Sequence, residues 1–297
     1  MSRVNHQDNF SMNNEVSHAM PRVIYEPESR VRHPLQLVQE MYQDALASRG
    51  LAWQLLRRDI SAQYRQSILG IVWAFVPPVV TAIGLTLAKD FKVLNLGETS
   101  IPYPAFVMVS MVLWQAFITS FTNMSGVARK AKGMLGKLKV PPEAFVLAGL
   151  GQITFDFIIK LIPIAFFFVW FKVSITWSVL LVPVAVIHLI MLGTGMGLMI
   201  GPLATLYGDV SKFMGYFTKA WLFITPVLFP TPKGKYLAIL FNLNPVTPLL
   251  VTARELATTG DVSNPVGFWI STGLAYVCFI LGWFIYRLAL PFLVERA

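Results

Sequence analysis

Residues 177–205 read WSVLLVPVAVIHLIMLGTGMGLMIGPLAT, a stretch without any Asp, Glu, Lys or Arg. A hydrocarbon slab of about 30 Å is crossed by roughly 20 apolar residues in a helix, so this run is long enough to span a bilayer. Five further stretches have the same character, at 69–88, 104–124, 144–170, 213–230 and 266–288. The longest two, 144–170 and 177–205, are expected to tilt or to project beyond the membrane. Composition agrees, since 55% of the 297 residues are hydrophobic and 13% charged. A soluble chain carries about 25% charged residues. Mean hydropathy is +0.61. The expected fold class is therefore all-α and membrane-integral, with six transmembrane helices.

Charge sets the expected orientation. The segment 125–143 (SGVARKAKGMLGKLKVPPE) carries Arg129, Lys130, Lys132, Lys137 and Lys139 against Glu143 alone. Basic loops stay on the cytoplasmic side. Arg49, Arg57, Arg58 and Arg65 precede the first span and belong on that same side, which two intervening spans permit. The 89–103 linker balances Lys89 and Lys92 with Asp90 and Glu98 and faces outward. Arg287 and Arg296 bring the C-terminus back inside, so both termini are expected in the cytoplasm. This bias accounts for the net charge of +9 without nucleic acid.

Outside the spans, three segments stand apart. Residues 1–34 are polar and mixed in charge, too poor in apolar surface to fold alone, and read as a mobile cytoplasmic tail. In 35–67, Trp53, Leu56, Ile60 and Tyr64 recur at steps of three and four, with arginines and glutamines around the rest of the circumference. That pattern fits an amphipathic helix in the membrane interface. Residues 68–297 form the transmembrane domain. Within it, 236–258 (YLAILFNLNPVTPLLVTARELAT) is apolar but broken by Asn242, Asn244, Pro245 and Pro248. Broken helices at membrane depth survive against protein or water. The reading is a re-entrant helix pair before the last span, turning at Asn244-Pro245.

Catalytic motifs are lacking. Gly136-Lys137-Leu138 and Gly234-Lys235-Tyr236 have neither the spacing nor the hydroxyl of a nucleotide-binding loop. Gly193, Gly195, Gly197 and Gly201 lie in an apolar span with the wrong spacing for a dinucleotide fingerprint; Gly197 and Gly201 make a small-xxx-small face for helix packing. Cys278 is the one cysteine, so no disulfide or thiolate metal site is expected, and no catalytic or metal-binding set is assigned. Ionisable groups at membrane depth are functional candidates because stranding them costs at least about 2.5–3.5 kcal/mol on insertion scales. Asp156 and Lys160, four residues apart, share a helix face and either pair within the bundle or line a polar path. His188 is expected to be buried and hydrogen-bonded, and Lys219 to snorkel. Trp73 and Phe75 precede Pro77-Pro78, which would kink the first span; they either line a conduit or sit in the aromatic belt.

The order Arg58-Asp59, Tyr64-Arg65-Gln66-Ser67, Leu69-Gly70, Trp73 and Pro77 resembles the entry to the first span of the ABC-2 type permeases that export bacterial polysaccharides. Pro102-Tyr103-Pro104, Lys139-Val140-Pro141, Tyr207-Gly208-Asp209-Val210, Phe223 with Pro226-Val227 and Pro230, and Asn244-Pro245 extend the resemblance across about 51–290, although Gly208 stands where the family commonly has Arg.

The resemblance implies a homodimeric permease in the bacterial inner membrane, moving capsule, O-antigen or teichoic-acid polysaccharide on a lipid carrier. Two copies of a separate ATP-binding subunit would supply ATP and magnesium; this chain would hold no cofactor. The 125–143 segment would couple to that subunit. Trp73, Phe75, Arg57, Arg58, Arg65, Asp156 and Lys160 would be candidates for the substrate path. Membrane lipids, and periplasmic and outer-membrane export components, complete the implied partners. A drug- or lipid-exporting relative would share the architecture, and a membrane-embedded enzyme is the alternative from another class.

Overall fold

The computed structural model describes residues 34–65, 68–93, 97–136, 140–231, 241 and 243–295. Residues 1–33 of the expected tail, Gln66 and Ser67, Lys137 and Lys139, and residues 236–240 and Asn242 of the re-entrant pair expected at 236–258 lie outside them. The described residues are all helix and connection, with no strand among them. In chain order the helices are α1 (Pro34–Ala47), α2 (Arg49–Tyr64), α3 (Val76–Asp90), α4 (Tyr103–Leu135), α5 (Glu143–Trp170), α6 (Val182–Leu206), α7 (Gly208–Phe223), α8 (Val246–Thr258) and α9 (Pro265–Glu295). Short 3₁₀ turns at Gly70–Ala74 and Trp177–Leu181 lead into α3 and α6.

Among the described residues, four helical segments are long and apolar enough to cross a bilayer: 103–135, 143–170, 177–206 and 265–295. The first and fifth expected spans are shorter helices, α3 with 15 residues and α7 with 16. Proline chemistry explains the first. Pro77 and Pro78 do not kink a helix interior; they occupy the first turn of α3, where a missing N–H leaves no bond unmade. The chain ahead of them turns through Gly70 at φ +51°, a left-handed conformation that glycine adopts without strain. At the other site, the backbone leaves the helical path before Pro226.

The core is built on α4, of which 78% of the most apolar window is buried. It packs most extensively along α6, which in turn packs along α9. Glycines permit these close crossings. A Cβ on Gly193 or Gly197 would lie 2.6 Å from the Phe117 carbonyl oxygen or 2.5 Å from that of Phe121, both in α4. Gly201 continues the stripe against Ser125, while Gly195 on the opposite side meets the α9 backbone at Cys278 and Gly282. One helix is therefore clamped from two sides by alternate small residues.

The N-terminal pair α1 and α2 packs against α5. Ala52 and Leu55 are the buried residues of α2, whereas Trp53, part of the expected apolar stripe, is exposed. At the same end of the bundle Arg287 of α9 meets Glu143 of α5 and Asp44 of α1. His188 is buried as expected but is held differently: its ring packs edge-on to Phe268 and Tyr276 at 5.8 and 5.7 Å, and its Nδ1 has no hydrogen-bond partner among the described residues.

Candidate functional site

Two polar stripes face each other across the middle of the fold. On α4, Gln115, Thr119 and Asn123 recur every four residues; on α5, Gln152, Asp156 and Lys160 do the same. Residues four apart share one helix face, so each helix presents a polar seam within an apolar span. The α2 residues Arg58, Asp59, Ala62 and Gln63, together with Trp73, Ala74 and Pro77, close the remaining wall. The groove is open to the outside and measures about 710 Å³.

The groove gathers some of the expected path residues and not others. Arg58, Trp73, Asp156 and Lys160 line it, and so does Lys130 from the basic segment. Phe75 is half-buried, while Arg57 and Arg65 are exposed; none of the three is part of its wall. Asp156 and Lys160 are each only 9% exposed, yet they form no direct ion pair. The Asp156 Oδ1 atom is buried without a hydrogen-bond partner among the described residues. Gln63 is read from the sequence only as part of the polar face of the 35–67 helix, and Gln115, Thr119, Asn123 and Gln152 went unremarked because they carry no charge. Their four-residue spacing was the signal that could have found them.

Polar bonds fix the groove's mouth. Asp59 accepts from Arg58 Nε at 3.1 Å and Nη2 at 2.9 Å, and pairs with Lys130 Nζ of α4 at 3.3 Å. Gln152 of α5 donates to Gln63 Oε1 of α2 at 3.0 Å. Helix α2 is thereby tied to both α4 and α5. Burial raises the Tyr64 phenol above its usual range, and the Asp156 carboxylate adds to that rise. A neutral hydroxyl is retained near the mouth.

Arg129 ties the basic end of α4 elsewhere. Its Nη2 donates to the Ala204 carbonyl oxygen at 2.7 Å and to Ser211 Oγ at 3.0 Å, satisfying the end of α6 and gripping the start of α7. Lys132 is half-buried near the end of the same helix.

The expected re-entrant turn is a hydrogen-bond hub. Asn244 Oδ1 accepts from Trp221 Nε1 and from the Val246 backbone N–H, both at 3.1 Å, while its Nδ2 donates to Thr225 Oγ1 at 2.8 Å. Pro245 follows as the N-cap of α8. Ten residues along, buried Arg254 donates from Nη1 to the Pro226 carbonyl oxygen at 2.8 Å and Ser110 Oγ at 3.0 Å, and lies 4.2 Å over the Phe106 ring. Both side chains clasp the non-helical segment that follows α7.

Comparison with known proteins converges on transport. The pattern of the ABC-2 type transporter family matches residues 50–256. The O-antigen export system permease protein of Myxococcus xanthus is 25% identical over 75% of this chain and 84% of its own length. Its counterpart in Klebsiella pneumoniae is 21% identical over 70% of this chain and 80% of that protein. The polysialic acid transport protein of Escherichia coli is 21% identical, over 78% and 91% respectively.

Proposed function

From the premise that this chain belongs to the ABC-2 type transporter family, we propose that it is the permease subunit of a bacterial polysaccharide exporter. The observation that carries the proposal is its likeness, along 70–78% of its length, to permeases whose names specify O-antigen export and polysialic acid transport. The cargo is a lipid-linked or lipid-terminated glycan crossing the inner membrane from the cytoplasmic side. A separate ATP-binding subunit, present in two copies, binds ATP and magnesium and supplies the work. The export path continues through periplasmic and outer-membrane components.

Two permease copies pair in this scheme. On α7, Lys212, Tyr216, Lys219 and Phe223 form one exposed face at steps of four, three and four. A lysine facing acyl chains costs about 2.5–3.5 kcal/mol, which favours a partner copy and a water-filled path over lipid. Six spans are reached by counting α3 with its leading 3₁₀ turn and α7 with the segment running to Pro230. The re-entrant pair then opens outward, and both termini stay in the cytoplasm with the basic end of α4.

The ATP-binding subunits grip the α4 end at Arg129, Lys130 and Lys132 and the adjoining Lys137 and Lys139. Their closure moves α4. The Lys130–Asp59 pair passes that motion to α2, and Arg129 passes it to α6 and α7. Purification in mild detergent followed by mass spectrometry tests the assembly: an ATP-binding subunit is expected at one copy per permease. Its absence, together with unchanged surface polysaccharide in cells lacking the permease, would refute the proposal.

A further inference from the structure

We propose that the groove between α2, α4 and α5 is a sugar-binding site within each protomer, taking an uncharged, hydroxyl-rich unit of the exported glycan. This rests on the export reading above and adds the chemistry of the cargo to it.

The wall's inventory decides the ligand class. Four carboxamides, from Gln63, Gln115, Asn123 and Gln152, and the Thr119 hydroxyl line the space. Gln63 and Gln152 bond to each other across the wall, while Gln115, Thr119 and Asn123 are half-buried; amides and hydroxyls both donate and accept, so a purely apolar occupant would offer these groups no partner. The charged residues narrow the choice further. Asp59 is engaged by Arg58 and Lys130. Asp156, in contrast, holds an acceptor oxygen with no partner among the described residues, one helical turn from Lys160, which makes no ion pair among them. A ligand hydroxyl satisfies both at once, donating its hydrogen to Asp156 and accepting from the ammonium of Lys160. A phosphate or uronate would meet the Lys160 charge but would oppose a carboxylate already short of donors. Trp73, 56% exposed at the rim, offers a flat apolar face on which a pyranose ring can lie. Acceptor, cation, amides and indole together fit a neutral sugar.

The test uses cells that produce the full exporter and their own surface glycan, detected by periodate staining after mild-acid release. A photo-crosslinking p-benzoylphenylalanine at Thr119 is expected to capture glycan, and the permease-dependent glycan is expected to pass an anion exchanger unretained. Asp156→Ala should reduce both crosslinking and export by about tenfold, with Asp156→Asn falling between it and wild type, while membrane abundance and co-purification of the ATP-binding subunit stay unchanged. Surface glycan that persists in gene-deleted cells would overturn the export reading. Permease-dependent export without any crosslink at Thr119, with a polyanionic glycan, or with Asp156→Ala at the wild-type level would overturn the groove assignment alone.

Discussion

Arg287 grips both carboxylate oxygens of Glu143, at 2.9 and 2.7 Å, and with its other amino group reaches Asp44 at 2.6 Å. Glu143 is fully buried and Arg287 is 8% exposed. The end of α9, the start of α5 and the N-terminal α1 are thus held at one point, with Tyr286 adding a bond to the Pro142 carbonyl oxygen at 3.1 Å.

Breaking this junction should be severe. Arg287→Met leaves a buried carboxylate facing Asp44 without its cation, a loss of about 3–5 kcal/mol. Thermal unfolding in detergent should register it as a large drop in Tm. Replacing both buried members with apolar residues of similar volume should recover much of the loss; a double variant as unstable as the single one would contradict this account.

Helix clamping around α6 gives a second expectation. Gly197→Ala places a methyl against the Phe121 carbonyl and should destabilise by about 1–3 kcal/mol through overpacking. Gly208→Ala, where a Cβ meets open space, serves as the comparison and should change little. Equal melting temperatures for the two would argue against the close approach of α6 and α4.

The Asp59–Lys130 pair should matter for work rather than for stability. Its side chains are 22% and 55% exposed, and such pairs contribute only about 0–1 kcal/mol. Lys130→Glu should nonetheless slow ATP-driven export by about fivefold, a coupling loss on the order of 1 kcal/mol. Exchanging the charges, Asp59→Lys with Lys130→Asp, should restore much of the rate. Export measured in reconstituted vesicles decides the matter, and a rate untouched by the single change would show that motion does not pass through this contact.

The clasp after α7 should behave as a unit. Asn244→Ala strips partners from Trp221, Thr225 and the Val246 N–H; Arg254→Met abandons the Pro226 carbonyl. Each is expected to lower stability by about 1–3 kcal/mol. Because both hold the same non-helical segment, the double variant should fall short of their sum. Strict additivity in thermal melts would mean the two side chains act independently.

What could be read from the sequence divides along physical lines. Apolar length announces itself, so the cores of α4, α5, α6 and α9 were visible from hydropathy alone. The helix ends were harder. Continuation of α4 through Leu135 lies in a stretch whose lysines read as loop, although Ala128 and Ala131 are buried beneath them. Pro77-Pro78 looked like a kink because their position relative to the helix start depends on where Gly70 turns the chain. Side-chain partners were least legible. Glu143 and Arg287 are separated by 144 positions, and nothing in either neighbourhood marks the other. Arg254, in the second arm of the expected re-entrant pair, gave no hint of its burial against Phe106 and Ser110. Asp156 and Lys160 were found by charge, but the amides across from them have none, so half of the groove was unseen.

The 33 residues of α4 form one rod about 50 Å long, well beyond the thickness of a hydrocarbon slab. Pivoted at Tyr103, a swing of about 5° carries its Leu135 tip by roughly 4 Å and Asn123, part-way down, by about 2–3 Å. Arg129 and Lys130 and the groove wall at Gln115, Thr119 and Asn123 are therefore points on a single helix, so a displacement of its tip would carry the wall with it by leverage.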